Sequence, residues 1–157
     1  MKELVLLHGE IAYVDYEDFD RIKDYKWFYE ARPNTVYVAR WCPILKRLIR
    51  LHREILNAPK GITVDHIDGN GLNNTKANLR LATTSQNGAN TKSRARNKSG
   101  YKGVSRHQKD KWQVHLKCGN KKLYLGLFTD LKEAAKAYNI AALEHFGEFA
   151  KLNEIKD

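Results

Sequence analysis

Cysteine is scarce in this sequence, and its placement excludes several kinds of site. Among the 157 residues only Cys42 and Cys118 are cysteines, and no CxxC pair occurs in the chain. Structural zinc sites usually draw ligands from such pairs, so the usual zinc spacings are excluded. Two isolated cysteines also indicate a reducing compartment rather than a disulfide-bonded secreted protein. We therefore expect no zinc.

Long apolar runs are also missing. The longest early run is "LVLL" at 4–7, whereas a signal peptide needs an apolar core of about 7–15 residues and a membrane-spanning helix needs about 20. We therefore expect no signal peptide, no transmembrane segment and no membrane partner. Hydrophobic residues still make up 42% of the sequence, with Trp 3, Tyr 8 and Phe 5, so the chain can build a core.

Positive charge is in excess, and part of the excess is concentrated in one segment. The formal net charge is +10 and the pI is about 9.6, which favours a polyanionic partner, nucleic acid before an anionic membrane. The segment "GANTKSRARNKSG" at 88–100 contains no acid and no apolar residue larger than alanine. It cannot pack a core, so it is a solvated linker, an arm that follows phosphates, or both.

Residues 1–60 predict a small mixed β/α region. Short strands are expected in "LVLLHGEIAYVDY" on either side of His8, and "YEDFDRIKDY" has helical spacing. "KWFYEA" and "TVYVARW" predict a hairpin, and "RLIRLHREIL" predicts a strand that continues into a short helix before Pro59. His8 and His52 lie among apolar residues, and we interpret both as ordinary partly buried histidines rather than catalytic groups.

The stretch from 64 to 87, "VDHIDGNGLNNTKANLRLATTSQN", is a polar loop between two short apolar segments. An EF-hand is excluded, because placing Gly71 or Gly69 at its sixth position leaves no carboxylate at the first. A zinc hydrolase is excluded, because it needs two or three His or Cys ligands and the loop has one histidine. Two interpretations remain. Either this is an asparagine-rich turn capped by His66, or it combines one carboxylate and one amide oxygen for a hard metal with a histidine base, the inventory of metal-assisted phosphodiester hydrolysis.

This stretch resembles the core of the HNH endonucleases, in the subgroup of intron-encoded and phage homing enzymes. The resemblance implies a β-hairpin and a following helix that together hold one metal ion. It also implies that Asp65 and Asn87 are metal ligands, that His66 is the general base, and that Asn78 pins the hairpin loop by hydrogen bonds. The family's last position is often histidine, and the amide oxygen of Asn87 favours a harder ion than imidazole does, so Mg²⁺ is expected and Mn²⁺ is possible. Ser85 is the expected N-cap of the helix.

The C-terminal part predicts a three-stranded antiparallel sheet followed by one helix. Strands are expected around Val104, at 112–117 and at 122–128, with apolar and polar residues alternating in the second. In "DLKEAAKAYNIAALEHFG", Asp130 and Glu133 have capping-box spacing, Gly147 fits the C-terminal cap, and one face carries alanines, Leu131, Tyr138 and His145. The helix should cover one face of the sheet and leave a charged face open, which is either a binding surface or merely solvated.

This region resembles the plant ethylene-response-factor DNA-binding domain of the Apetala-two family. "YKGVS", "KWQVHLK", "KLYLGLFTDLKEAAKAY" and "GEFAKLN" occur in the family's order. The resemblance implies that the open face of the sheet lies in the DNA major groove. Together with the basic segment, the expected DNA contacts are Lys92, Arg94, Arg96, Lys98, Lys102, Ser105, Arg106, His107, His115, Lys117, Lys122 and Tyr124.

The sequence thus predicts an α+β protein in four parts. These are an N-terminal mixed β/α region at 1–60, a ββα-metal HNH nuclease core at 61–92, a basic linker at 93–100 and an Apetala-two-like domain at 101–153. The resemblances imply a metal-dependent homing-type DNA endonuclease that acts as a monomer on double-stranded DNA, in the cytoplasm of a bacterial or phage-infected host cell. Two alternatives are a DNA-binding regulator with an inactive HNH core and an RNA-binding protein.

Overall fold

The computed structural model describes residues 1–33, 35–91, 97–108 and 110–155. The chain forms two compact units, Met1–Ala82 and Thr83–Asp157. The boundary between them lies inside the range 61–92 that the sequence assigns to a nuclease core. Within the described residues, the fold is a mixture of small antiparallel sheets and four α-helices, as the α+β prediction requires. None of the described helices is long and apolar enough to cross a membrane.

The described residues of the first unit form three small antiparallel sheets. They pair β1 with β2, β3 with β4 and β5, and β6 with β7. The elements in chain order are β1 (Lys2–Val5), β2 (Ile11–Val14), α1 (Tyr16–Ile22), β3 (Phe28–Arg32), β4 (Thr35–Cys42), β5 (Arg47–Arg50), α2 (Leu51–Ile55), β6 (Thr63–His66) and β7 (Leu79–Ala82). The strands and helices predicted for residues 1–60 are all present.

The core of the first unit explains why the β6–β7 hairpin is held in place. Trp27 is 1% exposed, and its indole Nε1 donates a hydrogen bond to the carbonyl of Ile22 at 2.9 Å. Val64 of β6 and Leu79 of β7 belong to the same buried cluster. Burial of an aliphatic side chain stabilises the fold by about 1.5–3 kcal/mol. Apolar packing against the core of the first unit therefore holds the two strands that carry the polar loop.

The second unit contains α3 (Thr84–Ala89), β8 (Val104–Arg106), β9 (Trp112–Cys118), β10 (Lys121–Phe128) and α4 (Leu131–Phe146). The sheet is antiparallel with β9 in the centre, and Val114 and Leu116 of β9 are buried against Ala134 and Tyr138 of α4. Gly103 has a φ of +77°, and a Cβ there would lie 2.1 Å from the Tyr138 ring. Only glycine therefore allows the start of β8 to approach the helix this closely.

The ends of α4 follow the predicted capping residues. The Asp130 carboxylate accepts a hydrogen bond from the Glu133 amide at 2.8 Å, and Gly147 ends the helix with a φ of +50°. One predicted face residue is wrong: His145 is exposed, and its Nδ1 lies 3.0 Å from the carbonyl of Ala141 in its own helix. Its polar ring reaches solvent one turn beyond the buried alanines, so the covered face ends before it.

Candidate active site and DNA-binding surface

Asp65 lies near the end of β6, where the strand register sets its partner. It pairs with Arg80 directly across the hairpin, and Oδ2 of Asp65 lies 2.9 Å from both Nε and Nη2 of Arg80. Asp65 is 4% exposed. A buried carboxylate normally needs a cation and hydrogen bonds. Arg80 provides both, and its planar guanidinium fixes the orientation of the carboxylate.

His66 is the last residue of β6 and is 7% exposed. Its Nε2 lies 3.3 Å from Oδ1 of Asn74, and the Asn74 amide nitrogen donates to the carbonyl of Gly71 at 3.1 Å. Because Asn74 Oδ1 can only accept, Nε2 of His66 carries the proton and Nδ1 holds the basic lone pair. Burial lowers the pKa of His66, although the hydrogen bond with Asn74 and the charge of Asp68 work in the opposite direction. The ring is therefore neutral near pH 7, the state that a general base requires.

Asn78 connects the two ends of the hairpin loop. Its amide nitrogen donates to Asp68 Oδ1 at 2.9 Å and to the carbonyl of Asn73 at 2.8 Å, and its Oδ1 accepts from the Asp68 amide at 3.1 Å. The carbonyl of Asn78 also accepts from the amide of Ile67 at 2.9 Å. One side chain and one backbone group thus bridge the positions directly after His66 to those directly before β7.

The carboxylate of Asp68 accepts hydrogen bonds from residues of its own loop. Burial opposes its ionisation, but hydrogen bonds from the Asn70 amide and the Asn73 and Asn78 side chains outweigh this and lower its pKa. The loop is also tied to β2, because Tyr13 donates to Leu72 and accepts from Asn74 through backbone groups at 2.8 and 2.7 Å. The asparagine-rich composition therefore provides a rigid loop beside His66.

His52 of α2 packs against His66, which the sequence did not predict. The two ring centroids are 5.1 Å apart with an interplanar angle of 79°, and the centroid of the Tyr37 ring lies 5.2 Å from that of His52. His52 is 4% exposed, and burial lowers its pKa to about 3, so it is neutral. Its apolar neighbours in the sequence indicated burial but not a contact across the fold. His8, expected to be partly buried, is exposed in the turn between β1 and β2.

Asn87 lies in the second unit, on α3, and is partly exposed. The helix begins after Thr83, not at the predicted Ser85. Thr83 accepts a hydrogen bond from the Gln86 amide at 3.2 Å, and the Gln86 side chain accepts from the Thr83 amide at 2.9 Å. This reciprocal capping box satisfies two amides, which a cap at Ser85 would not. Ser85 instead accepts a hydrogen bond from the Gly119 amide at 2.8 Å.

Most of the expected DNA contacts that the structure describes lie on one side of the second unit. Lys117 pairs with Lys122 and His115 pairs with Tyr124 across β9 and β10, and the last two rings are 5.4 Å apart. A groove in this surface is lined by polar and basic residues, among them Lys98, Ser105, Arg106, His115, Lys117 and Lys122. His107 is exposed beyond β8. Lys92, Arg94 and Arg96 lie outside the described residues.

Lys102 differs from the other expected DNA contacts. It is partly buried, and its ammonium group donates to the carbonyls of Gly88, at 3.3 Å, and Ala89. Burial lowers its pKa to about 8. The ammonium group thus forms hydrogen bonds with the carbonyls at the end of α3.

The possible metal ligands are oxygen atoms. Among the described residues, no three His, Cys, Asp or Glu side chains form a group that could hold a metal ion. A site made of one aspartate, one asparagine amide and water is of a different kind, and its donor set suits Mg²⁺ or Mn²⁺. The buried and oriented carboxylate of Asp65 fits such a donor set.

Comparison with known proteins shows which family the chain is similar to. A family model described as HNH endonuclease matches residues 57–89. Uncharacterized HNH endonuclease L560 of Acanthamoeba polyphaga mimivirus is 36% identical over 155 residues, which cover 94% of this chain and 76% of that protein. Protein 3.8 of Escherichia phage T7 is 42% identical over 85 residues, 53% of this chain and 59% of that protein. The AP2-like ethylene-responsive transcription factor AIL5 of Arabidopsis thaliana is 47% identical over 62 residues, 38% of this chain and 11% of that protein. The mimivirus HNH endonuclease is 36% identical to this chain and is matched over 76% of its length. The chain therefore belongs to the HNH endonuclease family.

Proposed function

We propose that the protein is a metal-dependent, homing-type HNH endonuclease that hydrolyses phosphodiester bonds of double-stranded DNA. The observation that carries this proposal is the state of His66 at the end of β6. It is buried, neutral and fixed through Nε2, with the basic lone pair on Nδ1. A histidine that only caps a turn would not need to be buried, neutral and held in one tautomer.

In this proposal the residues of the hairpin have separate roles. His66 takes a proton at Nδ1 from the water that attacks the phosphorus. Asn74 holds the ring by its hydrogen bond to Nε2, and Asn78 holds the loop on which Asn74 lies. A positioned general base contributes about a hundredfold to ten-thousandfold to the rate.

Asp65 and Asn87 would hold the divalent ion, Mg²⁺ or Mn²⁺. When bound, the ion stabilises negative charge on the phosphate and on the leaving oxygen. Arg80 orients the Asp65 carboxylate through Oδ2, and the capping box at Thr83 fixes the helix that carries Asn87. The β6–β7 hairpin and α3 would then form the ββα-metal core, with 61–92 as the nuclease region.

The sheet of the second unit would bind the target DNA. Its open side carries lysines and rings that can contact phosphates and base edges, and the similarity to AP2-like transcription factors supports this assignment. The protein would act as a monomer on DNA, with residues 93–100 as a basic linker before a DNA-binding domain at 101–153.

A DNA-binding regulator with an inactive HNH core is the second candidate. The ion pair between Arg80 and Asp65 favours it, because it occupies one oxygen of the proposed metal ligand. Incubation with supercoiled plasmid separates the two functions. The endonuclease should convert the plasmid to nicked or linear DNA with Mg²⁺, and excess chelator or the change Asp65→Ala should abolish this. A protein that binds the plasmid but leaves it supercoiled under all conditions would be the regulator.

A further inference from the structure

Helix α3 is too short to be stable without support. It has six residues, whereas isolated helices below about 12–15 residues are marginal in water. The carbonyls at its C-terminal end have no partner within the helix and must find one elsewhere. The carbonyls of Gln86 and Gly88 accept hydrogen bonds from Asn90 and Thr91 directly after the helix, whereas the carbonyl of Ala89 accepts from groups of the sheet domain that follows in the sequence.

Among the described residues, four hydrogen bonds join α3 to that domain. The Lys102 ammonium donates to the carbonyls of Gly88 and Ala89. The amide of Lys151 donates to the carbonyl of Ala89 at 3.1 Å. At the other end of the helix, the amide of Gly119, in the turn between β9 and β10, donates to Oγ of Ser85 at 2.8 Å.

Lys102 is itself held by a polar network. Its amide donates to Oδ1 of Asn153 at 2.7 Å, and its carbonyl accepts from the Asn153 side chain at 3.1 Å. Asn153 in turn makes two hydrogen bonds with Asn139 of α4, at 2.7 and 2.9 Å. A continuous chain of contacts therefore runs from α4 through Asn153 and Lys102 to the end of α3.

The cost of placing a lysine here indicates a specific use. Burial opposes the charged form of Lys102 and lowers its pKa to about 8, whereas an exposed lysine on the sheet could contact phosphate without this cost. The ammonium has three donors, and a helix end with its partial negative charge is a favourable acceptor.

We propose that Lys102 is a positioning residue for Asn87: by holding the end of α3, it sets the place of the metal-binding amide, and it does not contact DNA. This rests on the proposed role of Asn87 as a metal ligand. The sheet domain would then supply part of the nuclease site's support as well as the contacts to DNA.

The test compares Lys102→Met with Lys122→Met, an exposed lysine of β10, and with Asn87→Ala. Hydrogen exchange measures the protection of the α3 amides, titration with Mn²⁺ followed by electron paramagnetic resonance measures metal affinity, and DNA affinity is measured in chelator. Lys102→Met should accelerate exchange in α3 and weaken Mn²⁺ binding about tenfold, the usual scale for a supporting residue, while DNA affinity stays as in the wild type. Lys122→Met should weaken DNA binding only, and Lys102→Arg should restore metal affinity.

The outcomes separate this inference from the proposed function. Unchanged exchange in α3, or unchanged Mn²⁺ affinity in Lys102→Met when Asn87→Ala has lost it, would overturn the positioning role. A loss of DNA affinity equal to that of Lys122→Met would make Lys102 a DNA contact instead. If Asn87→Ala itself binds Mn²⁺ as the wild type does, the assignment of the metal ligand is wrong and the inference fails with it. Should Lys102→Met not fold, Lys102→Gln keeps a polar end but loses the charge, and it must then show faster exchange in α3 and weaker Mn²⁺ binding; wild-type values for both would overturn the positioning role.

Discussion

Replacing His52 with phenylalanine should remove a large part of the protein's sensitivity to acid. The His52 ring contacts the rings of Tyr37 and His66, and its buried Nδ1 has no hydrogen-bond partner in the part of the chain that the structure describes. Phenylalanine keeps an aromatic ring in this position but cannot take up a proton. The change therefore isolates the cost of protonating a buried imidazole.

The magnitude follows from the pKa of His52. Burial, followed by nearby positive charge from His66, Arg50 and Arg53, lowers it from 6.5 to about 3. Between these values the unfolded chain binds a proton here and the folded chain does not, so the free energy of unfolding falls as the pH drops below 6.5. At pH 5, about 1.5 units below the unfolded value, the loss is about 2 kcal/mol at about 1.36 kcal/mol per unit.

Urea unfolding at pH 7 and pH 5, followed by tryptophan fluorescence, measures this effect. Trp27 is buried in the same unit as His52 and reports its unfolding. Between the two pH values the wild type should lose about 2 kcal/mol more than His52→Phe. His66 also has a lowered pKa and is present in both proteins, so its own burial cancels in the comparison, and the difference contains the burial of His52 together with its interaction with His66. Equal losses in the two proteins would refute the claim that His52 is held neutral in the fold.

Three further predictions concern the loop and the sheet. Gly71→Ala should lower the free energy of unfolding by about 1–3 kcal/mol, because the new Cβ would lie 1.8 Å from the carbonyl oxygen of Val36; an unchanged melting temperature would contradict this contact. Asn78→Ala should accelerate hydrogen exchange in the hairpin loop by removing two donated bonds, and unaltered protection would count against its pinning role. Replacing Lys117 and Lys122 together with alanine should flatten the dependence of log DNA affinity on log salt by about 2 units, since each phosphate contact contributes about 0.9; the same slope as in the wild type would mean that neither lysine contacts phosphate.

Local patterns predicted most elements of the fold because the physics there is local. The alternation in β9 and the spacing from Asp130 to Glu133 depend on residues a few positions apart, and the structure contains the strand and the cap they indicate. The helix start was missed by two residues, because Thr83 and Ser85 both carry capping hydroxyls. Only the partner Gln86 distinguishes them.

Contacts between distant segments could not be predicted in this way. His52 and His66 meet because α2 and β6 share one core, and no spacing in the sequence reports that. Lys102 matches a DNA-contacting position of the family it resembles, yet its ammonium is directed to the carbonyls that end α3. Which carbonyls lie near a lysine depends on how distant segments of the chain pack together, and local sequence patterns do not report this.

The central claim is that His66 is the base of a DNA-cleaving site. The most direct test is the single-turnover rate of plasmid cleavage in Mg²⁺ by the wild type, His66→Ala and His8→Ala, with DNA affinity measured alongside. His8 is an exposed histidine of the first unit and serves as the matched control. We predict that His66→Ala binds DNA as the wild type does but cleaves it at least about a hundredfold more slowly. His8→Ala should bind and cleave DNA as the wild type does. Cleavage by His66→Ala at the wild-type rate would contradict the account.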